Sequence, residues 1–375
     1  MKRRLKGDPA QPFFDLMPPQ MADLTKGEGP ELVRRLGVET IREITRSILC
    51  GGNLRDSTES LTRKRIALTN AATLVTFIRG RKADSHFTER LAKIACDGLG
   101  VKREKWERWA LLWILGLNDK AVQNVIRDDD NFLKEYATQY ALSQKDAATM
   151  CGKEYGDLCG SIGLGSNEKT SLDWNFVLQL LATVGAQTLT IRGSEKSTYG
   201  KLFEKLVLGS LLHILGFRHI DKKDIASNAD VSNCFWLSSR KDKRESDATL
   251  LIERGHGVRF DIGFIGRGNP EISLDKVSRF EREAEFGKTK WYMATIIIVD
   301  TIGEGSRIQE LARKIDGVII QMSMGTWPQL VAKELARKVG YKSNLCNMKR
   351  AELEAYISAK MKDISPEHFI GDAIA

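Results

Sequence analysis

A chain of 375 residues with 42% hydrophobic and 29% charged side chains can bury a full apolar core without disulfides or a structural metal, which excludes a disordered or collagen-like protein. The 58 Lys and Arg outnumber 49 Asp and Glu for a formal charge of +9, an excess that favours a polyanionic partner because each neutralised phosphate releases condensed counterions. Six cysteines, at 50, 96, 151, 159, 234 and 346, form no C-x-x-C pair and stand near no histidine at zinc-ligand spacing, so they read as reduced, mostly buried thiols.

The opening MKRRLKGDPAQ is basic but is followed by no apolar run long enough for a signal peptide or a membrane span. A loose basic arm over 1–7, a cytoplasmic location and no membrane partner are therefore expected. From 31 to about 144, apolar residues recur at three- and four-residue spacing in ELVRRLGVETIREITRSIL, TRKRIALTNAATLVTFIRG and KWERWALLWILGL, which predicts an all-α region. Trp106, Trp109 and Trp113 share that spacing and belong to its core. Glycines and short polar residues between 146 and 166 weaken the helical signal and predict a connection. That divides the chain into a helical N-terminal region, 1–165, and a second domain, 166–375.

In the second domain a helix is predicted over 172–184, then a turn at RGSEKS, then an amphipathic helix STYGKLFEKLVLGSLLHILGF ending at Gly216. Four strand patterns follow: SDATLLIE, HGVRFDIGFIG, YMATIIIVD and GVIIQMS. The third is a nearly continuous apolar run, as in a strand covered on both faces. Helical patterns, DKVSRFEREAEFGK, SRIQELARKI and WPQLVAKELARKVG, separate or follow the later strands. The fold class predicted is α/β (α+β), a mixed sheet flanked by helices, in which an antiparallel meander enters a sheet finished by helical crossovers.

Hydrolysis of a phosphodiester by a metal-dependent nuclease needs carboxylates for divalent ions and a cation near the scissile phosphate. Asp247 opens the first strand and Asp261 lies inside the next; the RGHG turn between them would bring the two carboxylates side by side. Asp261, between Phe260 and Ile262, is the sharper of the two, because a carboxylate inside an apolar strand needs a partner. Glu204 is the residue that packing of its helix does not require, although a solvent-facing role explains it equally well.

This order of helix, strands and acids, over 197–323, resembles the PD-(D/E)XK nuclease superfamily. The phrase SDATLL…RFDIGFIGRGNPEISLDKVSRF is similar to bacterial type II restriction enzymes, the CfrBI group among them. Two departures stand out: Ser246 replaces the proline of the motif, and Gly263 stands where its lysine is expected. The resemblance implies a restriction-endonuclease-like fold and Mg²⁺ held by Glu204, Asp247 and Asp261. Lys276, at the start of the following helix, would replace the missing lysine. Glu271 and Asp275 are reserve ligands. If NPEISLDK is strand, Asp275 would face Asp261; Asn269 and Pro270 equally fit a helix start. Lys276 could instead simply pair with Asp275 or Glu271.

Implied partners are double-stranded DNA, a second copy of the chain in a homodimer, and a cognate DNA methyltransferase of the same system that is not a stable partner. Basic clusters in TRKRIALTN, FIRGRKADSHF, LGVKREKWERW and SSRKDKR would carry phosphate contacts. A DNA-binding module without catalysis, or a repair or junction nuclease on the same fold, are the alternatives. GSIGLGSNEK lacks the GK[ST] ending of a phosphate loop, and IVDTIGEGSR does not match a dinucleotide fingerprint. Asp300 reads as structural, and His213, His219 and His256 are too isolated for histidine chemistry.

Overall fold

The computed structural model of the protein describes residues 8–25, 29–122, 130–165, 167–221, 232–238, 246–264, 292–301 and 317–370. Its helices are α1 (Gln11–Leu16), α2 (Gln20–Thr25), α3 (Gly29–Leu36), α4 (Val38–Leu49), α5 (Leu54–Ala83), α6 (Phe87–Leu99), α7 (Lys105–Ile114), α8 (Asp119–Ala121), α9 (Asp130–Tyr155), α10 (Trp174–Ile214), α11 (Trp327–Val339) and α12 (Arg350–Asp363). A two-stranded sheet pairs β1 (Gly160–Leu164) with β2 (Glu168–Leu172). A six-stranded sheet contains β3 (Arg218–His219), β4 (Cys234–Leu237), β5 (Ala248–Glu253), β6 (His256–Gly263), β7 (Tyr292–Val299) and β8 (Gly317–Gln321).

Two compact units share the chain: Met1–Gly27 with Leu61–Glu195, and Glu28–Ser60 with Lys196–Ala375. The boundaries at 60/61 and 195/196 fall inside α5 and α10. In the first unit Phe77, Phe87, Phe176, Trp109 and Trp113 belong to one apolar core, in which Phe77 meets Phe87 and Phe176 edge-on at 6.1 and 5.9 Å. Trp113 donates from Nε1 to Thr190 Oγ1 at 2.9 Å and Trp109 to Asp119 Oδ2 at 2.6 Å, so both buried indoles are satisfied. Trp109 and Trp113 are core, as their spacing predicts, whereas Trp106 is only half-buried, lies outside that core and donates from Nε1 to Glu104 Oε2 at 3.2 Å.

The segment expected as a connection is structured instead. α9 continues to Tyr155, and β1 and β2 form an antiparallel hairpin whose Ile162, Leu164 and Leu172 pack on the first unit's core. The glycines that weakened the signal serve the turn: Gly165 sits at φ 59°, where a side chain would be strained. The turn expected at RGSEKS is likewise absent, and α10 runs unbroken for 41 residues. Glu195, in the middle of that phrase, is buried against Arg65 at 3.1 Å. Arg65 also donates to the carbonyls of Leu24 and Thr25. Thr190 and Ser194 return their hydroxyls to the helix backbone at Ala186 and Ile191. Ser194 and Glu195, polar residues that look like part of a turn in sequence, thus find partners from within the packed helix.

In the second unit the six strands lie in chain order, β3-β4-β5-β6-β7-β8. β4, β5 and β6 are antiparallel neighbours, while β6, β7 and β8 are parallel. This is the mixed sheet flanked by helices that the sequence predicts, with β3 and β4 added at the edge, too short to show a pattern. Ala294 to Val299 of β7 are all buried, as a strand covered on both faces requires. α11 packs against β6, β7 and β8, starting at the buried Trp327, whose Nε1 donates to Ile48 O at 2.8 Å, and ending at Gly340 with φ 71°. Of the helical patterns in the second domain, those at 275–288 and 306–315 lie outside the described residues.

Candidate active site

The β5–β6 hairpin turns at Arg254-Gly255, with Gly255 at φ 83°, and its register fixes what shares a face. Ala248 pairs with Phe260 and Thr249 with Arg259, which sets Asp247, just before β5, opposite Asp261. Side chains alternate across a strand, so two rows of opposite character result. Ala248, Leu250, Val258, Phe260 and Ile262 project to one side, all with no exposed surface. Asp247, Thr249, Arg259 and Asp261 project to the other. The parallel register continues the second row onto β7, Arg259 beside Thr295 and Asp261 beside Ile297.

Asp261 has 0% of its surface exposed, whereas Asp247 is half-buried. Asp247 is held at both ends: its carbonyl accepts from Ser238 N at 3.1 Å and its Oδ2 accepts from Ile262 N at 2.9 Å. The second bond crosses the hairpin, so the carboxylate is oriented by the backbone of the strand that carries Asp261. Ser246, buried where the motif proline would stand, shares a hydrogen bond with Thr249 at 3.1 Å.

Glu204 lies on α10, half-buried, after the fully buried Phe203. Lys276, Glu271 and Asp275 lie outside the described residues, as does most of SSRKDKR. Among the described residues, no three His, Cys, Asp or Glu side chains stand close enough together to hold a metal ion. Asp300, at the end of β7, accepts from Asn53 Nδ2 at 2.7 Å, while Asn53 Oδ1 accepts from Arg55 N at the start of α5. Sequence reasoning missed Asn53 because its partner is 247 residues away.

A sequence model of the CfrBI restriction endonuclease family matches residues 38–307 of the chain. The chain is also 36% identical over 357 residues to the type II restriction enzyme CfrBI of Citrobacter freundii, covering 94% of this chain and 97% of that protein. The chain belongs to the CfrBI restriction endonuclease family. No solved structure matches it.

Within this CfrBI-family chain the matched span contains Asp247, Asp261, Glu204 and Lys276. Several basic residues of the helical region are committed to internal ion pairs. Arg65 is buried against Glu195, Arg103 donates to Asp8 at 2.9 Å, Arg79 lies 3.4 Å from Glu168, and Arg81 binds Asp173. The Arg103 guanidinium holds the Asp8 carboxyl below its ordinary range, against the opposing effect of burial. The sequence clusters therefore overcount the positive charge available to a polyanion; Lys64 and Lys102 are among those that are exposed. The cysteines are free thiols, but only Cys234 is buried and Cys159 is exposed. Among the described residues no helix is long and apolar enough to cross a membrane.

Proposed function

We propose that this CfrBI-family protein is a type II site-specific deoxyribonuclease that hydrolyses phosphodiester bonds of double-stranded DNA with Mg²⁺, as part of a restriction-modification system. The observation that carries this is the Asp247–Asp261 pair: two carboxylates opposed across a hairpin, one of them wholly buried on a strand. Charge is costly there unless it has work to do, and membership of a restriction endonuclease family supports reading that work as catalysis.

The pair fits a magnesium site in its chemistry. Mg²⁺ takes hard oxygen ligands and is commonly held by one or two carboxylates, with water and substrate phosphate completing the shell. Asp247 and Asp261 would hold the ion, its other positions filled by water and phosphate; among the described residues Glu204 of α10 closes no three-carboxylate cluster with them, and Glu271 would be the further protein donor. Bound there, the ion would polarise the phosphoryl oxygen and acidify water. The Ile262 N–H presets the Asp247 carboxylate, which lowers the reorganisation needed when charge develops. Lys276 orients the attacking water.

Exposed lysines and arginines of the helical region 1–165 supply phosphate contacts that position the duplex. A homodimer would place one such site on each strand of a palindromic target. A DNA methyltransferase of the same specificity protects the host without binding stably. The test is incubation of the purified protein with phage or plasmid duplex in Mg²⁺ and in EDTA. Discrete bands in Mg²⁺ alone are expected; a smear would indicate a repair or nonspecific nuclease. DNA that stays intact but is bound would indicate a module without catalysis.

A further inference from the structure

Phosphodiester hydrolysis gathers negative charge at the phosphate. The water oxygen bonds to phosphorus and gives up a proton to solvent, the bond to the leaving sugar oxygen breaks, and that oxygen keeps the electron pair and takes a proton from solvent. Beside two carboxylates such charge needs a fixed cation. Among the strands β4 to β8, Arg259 is the one Lys or Arg. It lies on β6, two residues before Asp261, on the same face of the strand and about 7 Å away along it.

Its position is built rather than incidental. Arg259 is half-buried within a strand whose next four residues are buried. Its neighbours across the sheet are Thr249 and Thr295, small side chains that leave room on that face. The carboxylates of the row, Asp247 and Asp261, lie to one end of it. Burying a guanidinium stem in mid-sheet has a cost, and an apolar residue would pack there without it.

We infer that Arg259 is the phosphate-binding cation of the active site, contacting the scissile phosphate beside the Asp247–Asp261 pair while Lys276 keeps its proposed role toward the water. This rests on the proposed nuclease reading of that pair. An arginine stays charged at any physiological pH and presents a planar fork matched to phosphate oxygens. Its role is therefore to bind and stabilise the phosphate, and it does not deprotonate the water.

The experiment uses the full chain with Arg259→Gln, Arg259→Met, Arg259→Lys and, as control, Asp261→Asn. Single-turnover cleavage of the DNA cut by the wild type is measured in Mg²⁺ at saturating enzyme, with DNA affinity in Ca²⁺ and the thermal midpoint read alongside. The two neutral variants are expected to cut about 100-fold more slowly or worse with affinity within about threefold, and the lysine variant to recover about tenfold of that loss. Neutral variants that cut within about threefold of wild type while Asp261→Asn is inactive would overturn the role of Arg259 and leave the site standing. Normal cutting by Asp261→Asn would sink the site itself. If Gln and Met both lower the midpoint but leave the rate per folded molecule unchanged, Arg259 is a packing residue and the inference fails.

Discussion

Asp261 could be singled out in the sequence because its neighbours are wrong for it: a carboxylate between Phe260 and Ile262 has no packing reason to exist. Asp261→Asn keeps shape and volume while removing the charge, so cleavage should fall about 10³-fold with DNA binding in Ca²⁺ nearly unchanged; equal cutting rates would remove the residue from the chemistry. His219 carries a different prediction. It packs at 5.1 Å from Phe235 and 5.5 Å from Phe369, and burial first, then His368 and His213, push its pKa below the ordinary value, with Asp221 opposing. A folded-state pKa below the unfolded value of about 6.5 means that the neutral form stabilises the fold. That contribution is present above about pH 6.5 and is lost as the pH falls through the depressed value. Thermal midpoints should drop as the pH falls below about 6.5, less steeply in His219→Gln; identical slopes would acquit the histidine. Sequence reading set His213 and His219 aside as isolated, since nothing local shows that Phe369 of the 3-10 turn Pro366–Phe369 stacks near both.

The elements that sequence reading recovered are those whose pattern is local. β5 to β8 announce themselves by β-branched runs, and Gly255 marks the hairpin that aligns the carboxylates. What escaped was decided at a distance. RGSEKS has the composition of a turn, yet Glu195 finds Arg65 from 130 residues away and the helix closes over it. Removing one partner of a buried pair leaves the other charge stranded, so Glu195→Ala should cost about 3–5 kcal/mol in denaturant titration. The double change Arg65→Met with Glu195→Leu should cost far less; equal losses would mean that the stranded charge is not the source of the cost. β3 and β4, of two and four residues, are too short for any periodicity to register. The β1–β2 hairpin hid behind its glycines.

For the whole molecule, the mixed sheet with its helices was legible from element order, while the make-up of the second unit was not. Residues 28–60 join it from far upstream, through Trp327 Nε1 to Ile48 O across 279 positions and through Asn53 to Asp300 across 247. No pattern within a window of sequence can show such a pairing. It also has a consequence in time. Because the strands stand in chain order, each can meet its neighbour soon after leaving the ribosome, but α4 must wait for partners synthesised more than 200 residues later. At about 5–20 residues per second that wait is on the order of 10–50 s. Throughout it Ile41, Ile44 and Ile48, buried in the finished protein, lack α12 and the 3-10 turn Pro366–Phe369, later elements that pack on α4. That interval leaves an apolar face uncovered on the nascent chain, and the β5–β6 hairpin bearing the carboxylates is synthesised before α11, which packs against β6.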